Sequence, residues 1–386
     1  MRSFICSLAC VLLLSGCTSP SKKEKDVTPQ LTKTSYESLP GWSQTSFNES
    51  FQAFLKSCNR LLTLPADRSF RPAGTYGDWH APCEAAKSMT SGDETLLRQF
   101  FENWFIPYQV RESGTSKDTG LFTGYYEASL NGSLKRYGPY QTPLYGLPRD
   151  LYSADLGQWY EELAGKKITA QVKNGKLQRY PDRVTIETNG ISDAEVVAWV
   201  DDPVDAFFLQ IQGSGVVTLD NGRQMRVGYA GKNGHAYYAI GRSLIERGEL
   251  TKEEVSLQTI RGWMARHPDQ ASDLMNLNRS YVFFRRLDTD GPVGAQGVVL
   301  TPNRSLAVDR HYYDYGMPVW LSVESPIKSE GTINQLMVAQ DTGGAIRGVI
   351  RGDFFWGYGS DAENRAGKMK SQGAFWFLLP KTISLK

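Results

Sequence analysis

Two aspartates near the end of the chain have the surroundings expected of acid–base groups. Asp341 precedes the pair Gly343 and Gly344, and Asp353 precedes a run of aromatic residues that includes Trp356. Their separation of twelve residues suits the ends of two adjacent strands and does not suit one face of a helix. Glycine beside a carboxylate lets a substrate or another backbone segment approach closely. The sequence therefore predicts a site for proton transfer in this segment.

The aromatic residues after Asp353 predict an unusual pKa for its carboxyl group. Loss of hydration disfavours the charged form and raises a carboxyl pKa above its ordinary value of about 3.9. An increase of about two units, which costs about 2.7 kcal/mol, would make Asp353 an acid close to neutrality. Hydrophobic surroundings tune the acid of a glycosidase in the same way. The alternative, on this segment alone, is a turn aspartate that binds its own backbone.

Two amphipathic helices are predicted before this site. Apolar residues recur at three- and four-residue spacing over 47–62 and again over 96–105, with aromatic stripes that belong to a core. Ser91 and Asp93 are candidate caps for the start of the second helix.

From Gly120 onward the pattern changes to short β-rich runs broken by glycine and proline. Two helices interrupt them, at 235–247 and at 251–267, the latter starting with a capping-box pattern of Thr251 and Glu254. A mainly β chain with helices at one end favours a barrel or sandwich over a doubly wound sheet. The predicted strands are 122–128, 184–188, 196–200, 206–212, 226–230, 281–285, 297–300, 306–308, 319–323, 336–339 and 374–379.

The N-terminus has the features of an exported lipoprotein. Arg2 precedes an apolar run over 4–14, which leads into Leu14-Ser15-Gly16-Cys17, a sequence that resembles a bacterial lipobox. The run is too short to span a bilayer, which needs about 20 apolar residues. We expect residues 1–16 to be a signal peptide and Cys17 to carry the lipid. The alternative is an ordinary cleaved signal peptide that ends near a cysteine.

The residues after Cys17 indicate where the protein is held. Thr18 stands where an aspartate would be needed for retention at the inner membrane, so we expect an outer-membrane lipoprotein that faces the periplasm. Residues 17–39 have no apolar period and predict a flexible tether.

The amino-acid composition limits the kinds of molecule that the chain is expected to bind. The net charge of +2, with 22% charged residues, provides no broad field for nucleic acid, and we expect no nucleic-acid partner. The chain contains 9 Trp, 19 Tyr and 17 Phe. Tyrosine and tryptophan combine a flat apolar face with a polar edge, which suits sugars as well as protein cores.

Two cysteines remain when Cys6 and Cys10 of the signal peptide and the lipid site Cys17 are set aside. Cys58 and Cys83 form an even pair in an oxidising compartment, and we expect a disulfide. Closing this loop of about 25 residues contributes about 3 kcal/mol in the chain-entropy model. The alternative is two buried free thiols. Neither a CxxC motif nor a His/Cys cluster is present, so we expect no metal and no other cofactor.

Motifs along the chain together resemble one family, membrane-bound lytic murein transglycosylase A with its C-terminal three-aspartate (3D) module. The resemblance covers nearly all of the mature chain and depends on the order of the motifs. The matching segments are Thr123-Gly124-Tyr125-Tyr126-Glu127, Gln212-Gly213-Ser214-Gly215, residues 229–237, Ala307-Val308-Asp309-Arg310, residues 341–353, Ala366-Gly367 and residues 375–378.

The resemblance implies a mainly β, α+β architecture. A double-psi β-barrel catalytic domain would comprise 40–138 and 288–386, with N-terminal helices, and a smaller β domain, 139–287, would be inserted into it. A groove between the two domains would hold a glycan strand of peptidoglycan. Murein synthase complexes are further candidate partners.

The implied activity is that of a peptidoglycan lytic exotransglycosylase, a lyase. It would cleave the β-1,4 bond between MurNAc and GlcNAc by intramolecular attack of O6 and leave 1,6-anhydroMurNAc ends. Asp353 would act as general acid and then as base, while Asp341 and Asp309 orient the site or stabilise positive charge. The alternative is a non-catalytic peptidoglycan-binding outer-membrane lipoprotein.

The same motifs supply candidate substrate-binding residues. Tyr125 and Tyr126 are neighbours on a strand and point to opposite faces, so at most one can face the groove. For Asn233 and His235 the alternative role is helix capping. The full set of candidates is Tyr125, Tyr126, Gln212, Gly213, Ser214, Lys232, Asn233, His235, Gly343, Gly344 and Trp356.

Overall fold

The structure, a computed structural model, describes residues 27–89 and 92–385. The predicted signal peptide, the predicted lipidation site Cys17 and the candidate cap Ser91 lie outside these residues. None of the helices in the described ranges combines the length and the apolar composition needed to cross a membrane.

The described residues form nine α-helices and sixteen β-strands. The helices are α1 (Asn48–Leu61), α2 (His80–Ser88), α3 (Glu94–Trp104), α4 (Arg183–Asn189), α5 (Pro203–Gln212), α6 (Gly241–Glu246), α7 (Leu257–Arg266), α8 (Pro268–Asn276) and α9 (Ser360–Lys368). The strands are β1 (Pro29–Lys33), β2 (Phe105–Glu112), β3 (Gly120–Ser133), β4 (Thr142–Tyr145), β5 (Tyr152–Asp155), β6 (Lys167–Lys173), β7 (Lys176–Arg179), β8 (Val196–Val200), β9 (Ser214–Leu219), β10 (Gln224–Lys232), β11 (Val282–Leu287), β12 (Ser305–Val308), β13 (Pro318–Glu324), β14 (Thr332–Asp341), β15 (Arg351–Tyr358) and β16 (Lys370–Pro380).

Thirteen of these strands form one mixed sheet, and β5, β6 and β7 form a separate sheet of three strands. Within the large sheet, the pairings of six strands close on themselves in the order β3, β15, β12, β14, β13, β16 and back to β3. The pairs β3–β15 and β12–β14 are parallel, and the other four pairs of this circuit are antiparallel. The chain is thus mixed α+β and mostly sheet, which confirms the coarse prediction of fold class.

Strand β3 connects the two parts of the large sheet. Its first half pairs with β15 and β16, whereas Ala128 to Gly132 pair in parallel with β9. Strands β10 and β11 then extend the sheet beyond β9. Side chains on one face of β3 therefore run from the closed circuit into the β9–β11 region.

The two predicted N-terminal helices are confirmed as α1 and α3. Phe54 of α1 and Phe101 of α3 are completely buried and contribute to the largest apolar cluster. Asp93 caps α3, because its side chain accepts hydrogen bonds from the backbone N–H groups of the first helical turn. Cys58 of α1 and Cys83 of α2 are joined by a disulfide.

Two segments predicted as strands are helices. Residues 184–188 lie in α4 and residues 206–212 lie in α5. Asp202 caps the start of α5, Pro203 occupies its first position, and Gly213 ends it in the left-handed conformation with φ 83°. These start and stop signals outweigh the β-branched and aromatic composition between them.

Other boundaries also differ from the sequence prediction. Residues 297–300 do not form a strand, and the helix predicted at 235–247 shortens to α6. The helix predicted at 251–267 begins at Leu257, because Ser256 and Thr259 form its capping box. Glu254 does accept hydrogen bonds from Thr251, but in a turn ahead of the helix.

The predicted tether is shorter than expected at its C-terminal end. Pro29 to Lys33 form β1, which pairs with β2 in antiparallel register, and Leu39 is buried in the main core. Side chains alternate between the two faces along β1. A short run of mixed polarity makes this alternation hard to recognise in the sequence, so the strand was not predicted. The tether prediction now concerns residues 17–26, which lie outside the described ranges.

Candidate active site

Asp341 and Asp353 lie at the same level of the sheet, on either side of one strand. Asp341 ends β14 and Asp353 is the third residue of β15, and both are register partners of Ala307 on β12. The strands that carry them are therefore separated by β12, which corrects the prediction of adjacent strands. Two strand spacings place their Cα atoms about 10 Å apart.

The carboxyl group of Asp353 accepts a hydrogen bond from a threonine on the neighbouring strand. Thr123 Oγ1 donates to Asp353 Oδ1 over 2.5 Å, and Thr123 is also the register partner of Asp353. Arg351 Nη2 in turn donates to Thr123 Oγ1 over 2.8 Å. Because the arginine occupies an acceptor position of the hydroxyl, the hydroxyl hydrogen is directed to Asp353.

Burial raises the pKa of Asp353 to about 6, with the nearby negative charge of Asp341 acting in the same direction. The positive charge of Arg351 and the hydrogen bond from Thr123 oppose this increase. Oδ2 of Asp353 has no hydrogen-bond donor among the described residues, so it is the oxygen available to carry a proton. Close to neutral pH, an appreciable fraction of Asp353 is protonated.

Arg351 is buried beside Asp353 without forming a direct ion pair with it. Its guanidinium group donates to the backbone carbonyls of Leu121 and Gly352 in addition to Thr123. Burial lowers the pKa of Arg351, and the charge of Asp353 raises it. The arginine thus orients the threonine while leaving the carboxyl free to change its protonation state.

Asp341 is held by one side-chain donor and by the backbone N–H groups of Ala295 and Thr342. Tyr125 Oη donates to Asp341 Oδ2 over 2.9 Å, and the backbone N–H of Ala295 donates to Oδ1 over 2.9 Å. Burial raises the pKa of Asp341, whereas these hydrogen bonds lower it. Burial and the charge of Asp341 raise the pKa of Tyr125 well above its usual range, so the phenol remains protonated and donates. Asp341 is therefore fixed as an acceptor.

Asp309 is bound to the loop between β14 and β15. It is 2% exposed, and its carboxylate accepts from the backbone N–H of Gly348 over 2.8 Å and of His311 over 3.0 Å. Arg347 Nη1 lies 3.3 Å from Oδ1 of the same group. These contacts anchor the loop that connects Asp341 to Asp353.

Sequence comparison identifies the family of this chain. Residues 121–285 match the MltA specific insert domain, and residues 304–379, which contain all three aspartates, match the 3D domain. Membrane-bound lytic murein transglycosylase A of Escherichia coli K12 is 33% identical over 296 residues, or 74% of this chain and 72% of that protein. The chain belongs to the membrane-bound lytic murein transglycosylase A family.

Solved structures of the family have the same fold. The crystal structure of membrane-bound lytic murein transglycosylase from Agrobacterium tumefaciens matches with a TM-score of 0.82 and 31% identity, over 92% of this chain and 98% of that chain. MltA from Neisseria gonorrhoeae, in a monoclinic form, matches with a TM-score of 0.78 and 33% identity, over 93% and 94%. E. coli MltA with bound chitohexaose matches with a TM-score of 0.66 and 27% identity, over 92% and 96%.

In this member of the lytic murein transglycosylase A family, only one of the two candidate tyrosines reaches the aspartates. Tyr125 contacts Asp341, whereas Tyr126 packs in the apolar cluster on the opposite face of β3. The backbone N–H of Tyr126 donates to Gln212 Oε1 over 3.1 Å, which attaches the end of α5 to β3. The two tyrosine side chains thus lie on opposite faces of β3, as the alternation along a strand predicts.

Trp356, a predicted substrate-binding residue, is partly buried and packs against two apolar clusters. Its ring packs against Phe354, with centroids 4.3 Å apart, and Arg365 lies over it at 5.3 Å. The missing side chain of Gly124 provides the space for the indole, since a Cβ there would lie 2.6 Å from Trp356 Nε1. The aromatic run after Asp353 therefore divides between the site and the core.

Asn233 and His235 make their contacts within the inserted segment. Asn233 is 1% exposed; its amide nitrogen donates to the backbone carbonyls of Pro181 and Arg279, and its amide oxygen accepts from Tyr281 N. His235 Nε2 lies 2.7 Å from the carbonyl oxygen of Tyr180. Neither side chain caps a helix, and both side-chain polar atoms of Asn233 are occupied by these contacts.

The other candidates lie in loops and at strand ends. Lys232 is exposed at the end of β10, and Ser214 is buried opposite Gly228 at the start of β9. Gly343 and Gly344 follow Asp341 in the loop that Asp309 anchors. Of the eleven candidates, the structure brings Tyr125 into contact with an aspartate.

Thr123, Arg351 and the backbone of Ala295 are parts of the site that the sequence interpretation missed. Arg351 and Asp353 are two residues apart on one strand, so their side chains lie on the same face. This spacing could have identified Arg351 from the sequence. Ala295 gives no signal, because it acts through its backbone. In the described ranges, no group of three or more His, Cys, Asp or Glu side chains is arranged to hold a metal ion.

Proposed function

We propose that this chain is a peptidoglycan lytic transglycosylase that uses Asp353 as its proton-transfer group. Its relatives bear the name lytic murein transglycosylase A, and one was crystallised with bound chitohexaose. The observation that carries the assignment is the environment of Asp353, whose pKa burial raises to about 6. A single carboxyl with that pKa can both give and take a proton near neutrality.

The reaction requires no external nucleophile. Asp353 donates its proton to O4 of the departing GlcNAc as the C1–O4 bond of MurNAc breaks. The O6 hydroxyl of the same MurNAc attacks C1, and Asp353, now a carboxylate, accepts the O6 proton. One C–O bond forms and one breaks, Asp353 regains its proton, and the product is a 1,6-anhydroMurNAc end. Because O6 and C1 belong to one sugar, the nucleophile has a high effective concentration.

Asp341 contributes negative charge near the reacting centre. The anomeric carbon gains positive charge as the glycosidic bond breaks, and a nearby carboxylate stabilises that charge. The hydrogen bonds from Tyr125 and Ala295 keep Asp341 in place for this role. Asp309 acts indirectly through the loop that it anchors.

The proposal also includes the domain architecture of the protein and its location in the cell. The closed circuit of six strands, with two parallel pairs, supports a double-psi β-barrel, and the match over residues 121–285 supports an inserted domain at about 139–287. The glycan strand would lie in the groove between them. The name membrane-bound in the relatives supports a lipid anchor at Cys17 on the outer membrane.

Digestion of purified murein sacculi tests the function directly. Wild-type protein should release soluble muropeptides with 1,6-anhydro ends, and Asp353→Asn should release none while still binding sacculi. A protein that binds sacculi but releases no products would instead be a non-catalytic wall-binding lipoprotein.

A further inference from the structure

A cavity of about 480 Å³ lies beside Thr123, the residue that donates a hydrogen bond to Asp353. Its lining comes from three segments of the chain. Leu121 and Thr123 belong to β3, residues 253–256 form the turn ahead of α7, and residues 367–370 connect α9 to β16. The cavity therefore lies where the closed circuit of strands meets the α7 segment.

Gly367 allows α7 to lie close to α9 at this cavity. A Cβ at position 367 would lie 2.3 Å from the side-chain amide of Gln258 in α7. That amide is already engaged, because Gln258 Nε2 donates to the backbone carbonyl of Glu363 in α9 over 3.1 Å. A side chain at position 367 would displace it. The glycine thus brings the turn at 253–256 up to the start of β16.

The cavity and Asp341 lie on opposite sides of Asp353. Thr123 is the register partner of Asp353 on β15 and of Lys370 on β16, and register partners have their side chains on the same face of a sheet. Two strand spacings place Lys370, which lines the cavity, about 10 Å from Asp353 along the sheet. Asp341 lies at a similar distance in the other direction, beyond β12. A ligand that passes over Asp353 in this direction reaches both.

The cavity lining combines an apolar surface with unoccupied polar groups. Leu121 is 37% exposed. Glu253 and Lys368 are exposed, and neither has a hydrogen bond or an ion pair with another described residue. Lys370 Nζ donates to the backbone carbonyl of Lys252 over 3.0 Å, which leaves two donors of its ammonium group. A sugar ring has apolar faces and hydroxyl groups at its edge, so this lining suits a saccharide.

The roles of the two aspartates determine which saccharide lies there. Asp353 gives its proton to O4 of the departing GlcNAc, and Asp341 stabilises the positive charge that develops on C1 of MurNAc. MurNAc therefore lies on the Asp341 side of Asp353. The departing GlcNAc lies on the other side, over Thr123 and toward the cavity.

We propose that this cavity binds the departing GlcNAc and the saccharide that follows it, a proposal that rests on the proposed function. The glycan strand crosses β3, with the new 1,6-anhydro end on the side of Asp341 and the leaving end on the side of β16. Leu121 contacts a face of a sugar ring. Glu253, Lys368 and Lys370 bind hydroxyl and N-acetyl groups.

Binding of the two products of a defined tetrasaccharide tests this assignment apart from catalysis. Cleavage of GlcNAc-MurNAc-GlcNAc-MurNAc at its central bond yields GlcNAc-anhydroMurNAc and, from the leaving side, GlcNAc-MurNAc. Leu121→Trp fills the cavity and should raise the Kd of GlcNAc-MurNAc at least tenfold in calorimetry, while the Kd of GlcNAc-anhydroMurNAc stays within twofold of wild type. The matched control is Leu177→Trp, because Leu177 is 54% exposed on β7 and does not line the cavity.

Three results of this experiment would overturn the proposal. They are the absence of GlcNAc-MurNAc binding by wild type, an unchanged Kd of GlcNAc-MurNAc in Leu121→Trp, and a larger effect of that variant on GlcNAc-anhydroMurNAc. The last result would place the leaving side of the strand at Asp341.

Kinetics on the tetrasaccharide separate an effect on binding from an effect on the catalytic pair. KM should rise at least fivefold in Leu121→Trp, while the pH at which kcat declines should stay at the wild-type value, because Thr123 and Asp353 are unchanged. A shifted pH profile with an unchanged KM would overturn the proposal. Selective loss of GlcNAc-MurNAc binding in a protein that cleaves no glycan would support the saccharide site and reject the proposed function, whereas cleavage to anhydro products with an unchanged Kd in the variant would do the reverse.

Discussion

Thr123 and Asp353 are register partners on the parallel strands β3 and β15, and the threonine hydroxyl donates to the carboxyl over 2.5 Å. Since Arg351 donates to the same hydroxyl, Thr123 has a defined role as a donor to Asp353. The contact joins two residues that are 230 positions apart in the sequence, and it lowers the pKa of Asp353 against the larger opposite effect of burial. It also makes the threonine a target for a matched pair of substitutions.

Thr123→Val should raise the pKa of Asp353 further, because the hydrogen bond from Thr123 favours the ionised carboxylate. In wild type, kcat/KM should decline tenfold per pH unit above about 6, where the acid loses its proton. The decline should begin at higher pH in Thr123→Val, with a rate about tenfold lower at pH 6 from lost positioning. Thr123→Ser keeps the hydroxyl and should restore both the rate and the profile. Identical pH profiles for the valine variant and wild type would show that Thr123 does not affect the pKa of Asp353.

Asp353→Asn should change the pH dependence of stability as well as abolish activity. The native carboxyl has a pKa of about 6 against about 4 in the unfolded chain, so the native state binds more protons between these values. Wild type therefore loses stability as pH rises from 4 to 6 through this group, and the loss is complete above the native pKa. Relative to wild type, Asp353→Asn should gain on the order of 2–3 kcal/mol of unfolding free energy between pH 3.5 and pH 7. Urea unfolding at both pH values measures this change. If the variant and wild type differed by the same unfolding free energy at both pH values, Asp353 would not have the raised pKa of a buried acid.

Asp341→Asn should lower both activity and stability. The carboxylate accepts from Tyr125 and from the N–H groups of Ala295 and Thr342, and an amide offers a single acceptor atom, so at least one donor loses its partner. A loss of about 1–3 kcal/mol in the free energy of unfolding is expected, together with at least a tenfold slower digestion of sacculi. The control is Asp67→Asn, at an exposed position. A wild-type rate and melting temperature in Asp341→Asn would show that Asp341 contributes to neither activity nor stability.

Cys17→Ala should release the protein from the outer-membrane fraction, because acylation of Cys17 is the proposed anchor. The matched control is Cys10→Ala, which changes a cysteine of the predicted signal peptide and should leave fractionation unaltered. Fractionation followed by a high-salt wash measures the result. Retention of Cys17→Ala in membranes after that wash would reject the lipobox interpretation.

Local patterns in the sequence predicted local structure well. The three- and four-residue spacing of aromatic residues predicted α1 and α3, because one helix face is encoded within about fifteen residues. The segment of α5 was wrongly predicted as a strand, because its run from Ala206 to Ile211 has the apolar composition of a buried strand. Asp202, Pro203 and Gly213 were the competing signals, and they determined the outcome.

The geometry of the site could be predicted only in part. Asp341 and Asp353 were recognisable from composition and family resemblance, as was Tyr125. The insertion of β12 between their strands, and the contact of Asp353 with Thr123, depend on pairings between distant segments. No periodicity within a segment encodes such pairings. The packing of Trp356 against Phe354 was not predictable, because side-chain direction along a strand next to a bulge cannot be derived from composition.

Digestion of sacculi in oxygen-18 water tests the central claim most directly. If O6 of MurNAc attacks its own C1 with Asp353 transferring the protons, the released ends contain no solvent oxygen. Mass spectrometry should then show unlabelled 1,6-anhydro products as the major species. Labelled reducing ends as the major species would show that water attacks C1, and the chain would be a hydrolase that uses Asp353 with Asp341 as its second carboxylate.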